Sequence, residues 1–244
     1  MIKAVIFDLD GTLIQTEVMK AQSYARTVNI LTGKVVAEDE VLNGFKKYVG
    51  LSRKEVVKGL TEEFLEELTG ANRRNSTEDM QHAIITKRLE IYKSMVNQPE
   101  LLSHFFCPYN LGLLNALYTD KYMIALATMS HMNEVEKILD TLKIKDKLGL
   151  IMTSDRVSNG KPDPEIYLKS IEALKVQPNE SIVIEDSVNG IRAAMAAGLN
   201  VFAATNEITR DSVHASGLLP GEFIIDDMTE LKPRIYKFIE NQGK

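Results

Sequence analysis

Two aspartates two residues apart, Asp8 and Asp10, sit at the end of the apolar run Val5-Ile6-Phe7, and Gly11 and Thr12 follow at once. Side chains at i and i+2 of a strand point the same way, so both carboxylates converge on one site where the strand ends. Like charges this close repel, and without a cation or a split of their pKa values the arrangement is costly. A bound metal and a divided chemical role remove that cost. An acidic turn capped by glycine accounts for one aspartate and the glycine, but not for an apolar run feeding two carboxylates and a hydroxyl.

Three later segments belong with this one. Ile124-Ala125-Leu126-Ala127-Thr128 is an apolar strand ending in a hydroxyl, Gly160-Lys161-Pro162-Asp163-Pro164 presents a lysine in a turn, and Ile182-Val183-Ile184-Glu185-Asp186-Ser187 is an apolar strand ending in two acids. In order and spacing the four resemble the motifs of the haloacid dehalogenase superfamily of aspartate-dependent phosphotransferases, in its subgroup of β-phosphoglucomutases and sugar phosphatases with a helical cap. The resemblance implies that Asp8 is the nucleophile and that Asp10 is the general acid and then the base. It also implies that Thr128 donates a hydrogen bond to the substrate phosphate, and that Lys161 offsets the charge shared by Asp8 and the phosphoryl oxygens. Mg²⁺ would be held by Asp8, the Asp10 backbone carbonyl and Asp186, with Glu185 as a further candidate ligand.

Gly50-Leu51-Ser52-Arg53 resembles the cap segment through which such enzymes touch substrate, and guanidinium meets phosphate bidentately, so Arg53 is a candidate contact. Thr16, at the first connection to the cap, resembles another substrate-touching position. Two departures from the family pattern are informative: Gln15 stands where aspartate is common, and Lys20 stands where the mutases have the histidine that couples cap closure to acid catalysis. The function expected is a Mg²⁺-dependent phosphatase acting on a small phosphate monoester, such as a sugar phosphate, through an aspartyl phosphate. The alternatives are a β-phosphoglucomutase-type isomerase, a 2-haloacid dehalogenase, which would need neither Asp10 nor the Glu185-Asp186 pair, and a non-catalytic regulatory protein that binds metal and phosphate.

Short apolar runs at 122–128, 148–152, 181–185, 199–203 and 223–226 alternate with helical patterns at 131–142, 163–174, 188–197 and 228–241. Strands spaced by helices mean crossover connections and a parallel sheet. The fold class expected is therefore α/β: a Rossmann-like, doubly wound parallel sheet formed by residues 1–14 and 101–244, interrupted by a helical cap over 15–100. Within the cap, Ser52 with Glu55 reads as a capping box opening a helix toward Leu68, Thr77-Glu78-Asp79 opens one toward Val96, and Gly70 to Ser76 is the polar loop between them. Ligands of open parallel sheets bind beyond the carboxyl ends of the strands, where Asp8, Thr128 and Glu185-Asp186 all stand.

Composition bounds the rest. A net charge of −5 with no basic cluster disfavours nucleic acid as partner, and the acids and bases of 15–100 balance, so the acidic excess lies with the candidate metal site. Cys107 is the single cysteine, which excludes an intrachain disulfide and suits a reducing compartment. The N-terminus reads directly into a strand with no leader pattern, and no apolar run approaches the roughly 20 residues of a membrane span. A cytoplasmic monomer or weak dimer with a small-molecule substrate is the expectation. Gly160-Lys161 lacks the upstream glycine of a P-loop. His82, His104 and His214 lack metal-ligand spacing.

Overall fold

β1 (Ala4–Phe7) is buried at every residue, as a continuous apolar run must be in a parallel sheet covered on both faces. The computed structural model describes residues 1–48, 53–71 and 76–243 and divides into two units, Met1–Gln15 with Ser103–Lys244, and Thr16–Leu102. In the first unit, β1 is joined by β2 (Met123–Ala127), β3 (Leu150–Met152), β4 (Ser181–Glu185), β5 (Asn200–Ala204) and β6 (Ile224–Ile225). All pairs are parallel and the order is β3-β2-β1-β4-β5-β6. The chain winds outward from β1 to β3, then crosses back to lay β4 against the other side of β1. That reversal puts the topological switch point at the carboxyl end of β1, where Asp8 follows.

The helices in chain order are α1 (Thr16–Leu31), α2 (Glu38–Gly44), α3 (Arg53–Glu63), α4 (Leu65–Ala71), α5 (Thr77–Val96), α6 (Pro99–Ser103), α7 (Pro108–Thr119), α8 (Met132–Leu142), α9 (Glu165–Leu174), α10 (Val188–Ala196), α11 (Arg210–Ser216) and α12 (Leu231–Gln242). Period-2 alternation turns Ala4, Ile6, Ala125, Ala127, Val183, Val201 and Ala203 to one face of the sheet. There they pack with Ile166, Tyr167 and Ile171 of α9 and Ile191, Ala193 and Ala194 of α10. Each fully buried aliphatic side chain of this layer contributes roughly 1.5–3 kcal/mol.

Sequence periodicity misses α7 and α11. Pro108 opens α7 at its first position, but its run Leu111-Gly112-Leu113-Leu114 is apolar without a stripe. α11 is only two turns long.

In the second unit, α1 packs along α5 around a core that includes Tyr24, Phe45, Leu60, Leu68 and Ile84. The single helix expected to run to Leu68 is instead two, α3 and α4, separated at the buried Phe64. α4 extends through Gly70, where a loop was expected. α5 runs as expected, capped by the Ser76 hydroxyl, which accepts from Asp79 N at 3.1 Å. The capping role of Ser52 and the loop 72–75 lie outside the described residues. Among the described residues no helix is long and apolar enough to cross a membrane.

Candidate active site

The loop after β1 is closed by its own backbone: Leu9 O accepts from Leu13 N at 2.9 Å, and Gly11 N donates to Ile14 O at 2.7 Å. Gly11 has φ +84°, and a Cβ there would stand 2.1 Å from Asp186 Oδ2, so this position requires glycine. Asn110 of α7 supports the loop from below, its amide donating to Thr12 O at 2.7 Å. Asp8 N donates to Ile184 O at 3.0 Å, which keeps the first residue past β1 in register with β4.

Lys161 reaches this strand end from the turn after Gly160. Its ammonium donates to Asp8 Oδ1 at 2.6 Å, Glu185 Oε1 at 2.6 Å and Ala127 O at 2.9 Å. The lysine side chain is 6% exposed and the carboxylates 8% and 1%, so this is a buried pairing rather than a surface ion pair. The turn that delivers it is pinned by Glu165, whose carboxylate accepts from Ser158 N at 2.9 Å and Asn159 N at 2.8 Å. Bonding to Lys169 and to those amides holds Glu165 down to about 2.

Glu185 is saturated. Oε1 takes Lys161 and the Tyr167 hydroxyl (2.8 Å), while Oε2 takes Asp186 N (3.1 Å), Ser187 N (3.2 Å) and Ser187 Oγ (3.1 Å). Gly190 lies in the first turn of α10, where a Cβ would fall 1.9 Å from the Glu185 carboxylate, so the close approach requires glycine. Asp186 accepts from the Asn206 amide at 3.0 Å through Oδ2. Asp10 Oδ2 receives Thr128 Oγ1 at 3.0 Å and Ser130 Oγ at 2.6 Å.

The electrostatics follow from one ammonium among several carboxylates. Burial pushes the Asp8 carboxyl well above the usual range; Lys161 opposes this, and Glu185 and Asp10 reinforce it. Burial also raises Asp186, helped by Glu185 and Asp8. Burial would lower Lys161, but Asp8 and Glu185 outweigh it and hold the amine charged. Ligand oxygens of Asp8, Glu185 and Asp186 lie within 4.8 Å of one another. An all-oxygen, electron-rich, buried donor set that one lysine does not neutralise fits a hard divalent cation.

A family model described as haloacid dehalogenase-like hydrolase matches residues 5–204. The chain belongs to this family. It is 29% identical over 200 residues to a phosphorylated carbohydrates phosphatase of Thermotoga maritima, covering 81% of this chain and 82% of that protein. It is 29% identical over 232 residues to a validoxylamine A 7′-phosphate phosphatase of Streptomyces hygroscopicus subsp. limoneus, covering 95% and 97%. The crystal structure of β-phosphoglucomutase from Clostridium difficile superposes with a TM-score of 0.63 at 25% identity, covering 99% of this chain and 97% of that one.

Of the site residues read from the sequence, this haloacid dehalogenase-like hydrolase brings together Asp8, Asp10, Thr128, Lys161, Glu185 and Asp186. Thr16 and Arg53 belong to the other unit, as the first residues of α1 and α3; Thr16 is buried and Arg53 exposed. There, burial raises the Tyr24 hydroxyl, and the positive charges of Arg88, Arg53 and Lys20 oppose the rise.

Ser130, Tyr167 and Asn206 are the additions that the sequence reading did not single out. Asn206 stands just past the end of β5, and the strand-end reasoning that selected Asp8, Thr128 and Glu185 would have found it there. His131, which opens α8, bonds Asp155 at 2.7 Å, a structural role. Cys107 is half-buried, accepts from Gln15 Nε2 at 3.1 Å, and is pushed by burial to about 11, a pKa that suits packing rather than reactivity.

Proposed function

We propose that the protein is a Mg²⁺-dependent phosphatase that hydrolyses a small phosphate monoester, such as a sugar phosphate, through an aspartyl phosphate on Asp8. The observation that carries this is the pair at the end of β1. Asp8 lies against a buried ammonium, while Asp10 is held apart from it by the Thr128 and Ser130 hydroxyls. One carboxylate is thereby set up as nucleophile and the other as proton carrier.

An oxygen of Asp8 attacks phosphorus in line, and the bond from phosphorus to the ester oxygen breaks as Asp10 gives that oxygen its proton. Water then attacks the aspartyl phosphate, Asp10 takes the water's proton, and inorganic phosphate leaves with Asp8 restored. Lys161 offsets charge on Asp8 and the transferring group, and Thr128 donates to a phosphate oxygen. Asp8, the Asp10 carbonyl and Asp186 would hold Mg²⁺, which supplies neutralisation of the phosphate charge when bound. Glu185, with both oxygens committed, acts by holding Lys161. Relatives named as phosphatases, one of them of phosphorylated carbohydrates and one of validoxylamine A 7′-phosphate, support this reading.

Lys20 favours hydrolysis over mutase chemistry, since it pairs with Glu17 at 2.5 Å on its own helix instead of offering an imidazole. The deciding test is to incubate the enzyme with Mg²⁺, β-glucose 1-phosphate and a trace of the 1,6-bisphosphate, following both products. Net phosphate release is expected. Glucose 6-phosphate appearing many times faster than free phosphate would make the mutase the better reading.

Substrate choice falls to the second unit, through Arg53. Arg53→Ala is expected to cost about 1.5–3 kcal/mol in kcat/KM for sugar phosphates, the value of a charged hydrogen bond, and far less for acetyl phosphate. Equal losses would remove Arg53 from recognition.

The raised carboxyls give a signed pH dependence. Between the usual carboxylate range near pH 4 and their higher folded values, Asp8 and Asp186 bind more protons folded than unfolded, so stability falls as pH rises. Glu165, held at about 2 folded, adds slope of the opposite sign only near and below its ordinary range, and from pH 5.5 to 8 it is ionised in both states and adds almost none. Metal-free protein should therefore be less stable at pH 8 than at pH 5.5, and Mg²⁺ at about 100 times its Kd should restore about 2.7 kcal/mol. Denaturation across that range, with and without Mg²⁺, checks this. A flat profile indifferent to Mg²⁺ would contradict it.

A further inference from the structure

We infer that Ser130 is the positioning residue for Asp10, the group that keeps the proton carrier aimed at the reacting oxygen. This rests on the reading of Asp10 as acid and base. Two hydroxyls, two residues apart on the loop after β2, both reach Asp10 Oδ2: Thr128 at 3.0 Å and Ser130 at 2.6 Å. A hydroxyl has one proton to donate. In the proposed reaction Thr128 must turn that proton to a phosphate oxygen, so it cannot hold Asp10 while substrate is bound. Of these two hydroxyls, Ser130, at the shorter distance, is the one left to hold Asp10 at that stage.

The geometry excludes the plainer role for this serine. A serine just ahead of a helix commonly caps it, yet the cap position of α8 is held by His131, no side chain caps it, and the first amide, Met132 N, is taken at 2.7 Å by Asp155. The Ser130 hydroxyl points instead at Asp10. Its backbone is fixed from a separate direction, since its amide donates to Thr128 Oγ1 at 3.0 Å and its carbonyl accepts from Ser154 N and Ser154 Oγ, each at 3.3 Å. Asp155 ties that neighbouring segment to His131 at 2.7 Å. The anchor for Asp10 is thus built on the β2 and β3 loops, independently of the loop that carries Asp8.

The test compares kcat/KM for p-nitrophenyl phosphate, whose leaving group needs no proton, with that for a hexose 6-phosphate, whose alkoxide does. The proteins are wild type, Ser130→Ala, Ser130→Thr, Asp10→Asn and the Ser130→Ala/Asp10→Asn double variant. Ser130→Ala should lose roughly ten- to a hundred-fold on the hexose phosphate, the scale of a misplaced catalytic group, and little on the aryl ester. Ser130→Thr should recover most of that loss, and Ser130→Ala should cost nothing further once Asp10 is asparagine. Were Ser130→Ala not to fold, Ser130→Cys, of similar size and with a weak donor, would take its place. Equal losses on both substrates, or a further loss in the Asp10→Asn background, would overturn the role given to Ser130. If Asp10→Asn itself failed to distinguish the substrates, the acid–base reading of Asp10 would fall, and this inference with it.

Discussion

Asp8→Asn is expected to abolish turnover, by roughly 10⁵–10⁶-fold as when a covalent nucleophile is lost, while the protein stays folded. The asparagine removes the attacking oxygen and one candidate metal ligand. It also removes a carboxylate whose burial already works against its charge. Lys161 keeps Glu185 at 2.6 Å and Ala127 O at 2.9 Å, so the ammonium is not stranded. Metal-free stability should therefore be unchanged or higher, with a flatter pH profile. Activity and thermal melts of the same preparation separate the two effects. Retention of a tenth of the activity, still dependent on metal, would end the covalent mechanism.

Lys161→Met is expected to cost about 3–5 kcal/mol of folding stability, the penalty for removing one partner of a buried ion pair, together with activity. Methionine preserves length but supplies no donor, leaving Asp8, Glu185 and the Ala127 carbonyl without the three bonds that the ammonium makes. The remaining carboxylates can escape by binding protons, so the loss should be largest at alkaline pH and shrink toward pH 5. Adding Glu185→Gln should recover part of it. Denaturant midpoints at the two pH values measure this, and a loss under 1 kcal/mol would show that water already solvates the amine.

Much of this arrangement is legible in the sequence because a parallel sheet converts it into geometry. Asp8, Thr128 and Glu185-Asp186 each end an apolar run, and runs that pair side by side must deliver their last residues to one edge. Lys161 was legible only through the company of the other three motifs, since a lysine in a turn has no pattern of its own. Tyr167 was hidden because an aromatic in the apolar stripe of α9 looks like packing, and only the fold turns its hydroxyl toward Glu185. Ser130 was hidden for a related reason: a serine before a helix reads as a cap until another residue is found doing that work. The break at Phe64 and the stripe-free α7 were lost because helix periodicity reports a contrast between faces, which a kink or an all-apolar helix does not have.

Just past Asp8, the outgoing and returning chains lie side by side. Gln15 N donates to Phe105 O at 2.8 Å, Cys107 N donates to Leu13 O at 3.0 Å, and Ile14 bridges Phe106 antiparallel. In polymer terms, the host closes the excursion with its own hydrogen bonds, so the ends of the folded unit between them are already held together. In evolutionary terms, the stretch between those paired ends is a cassette. Its length can change while those paired ends keep β1 in register and Asp8 in place.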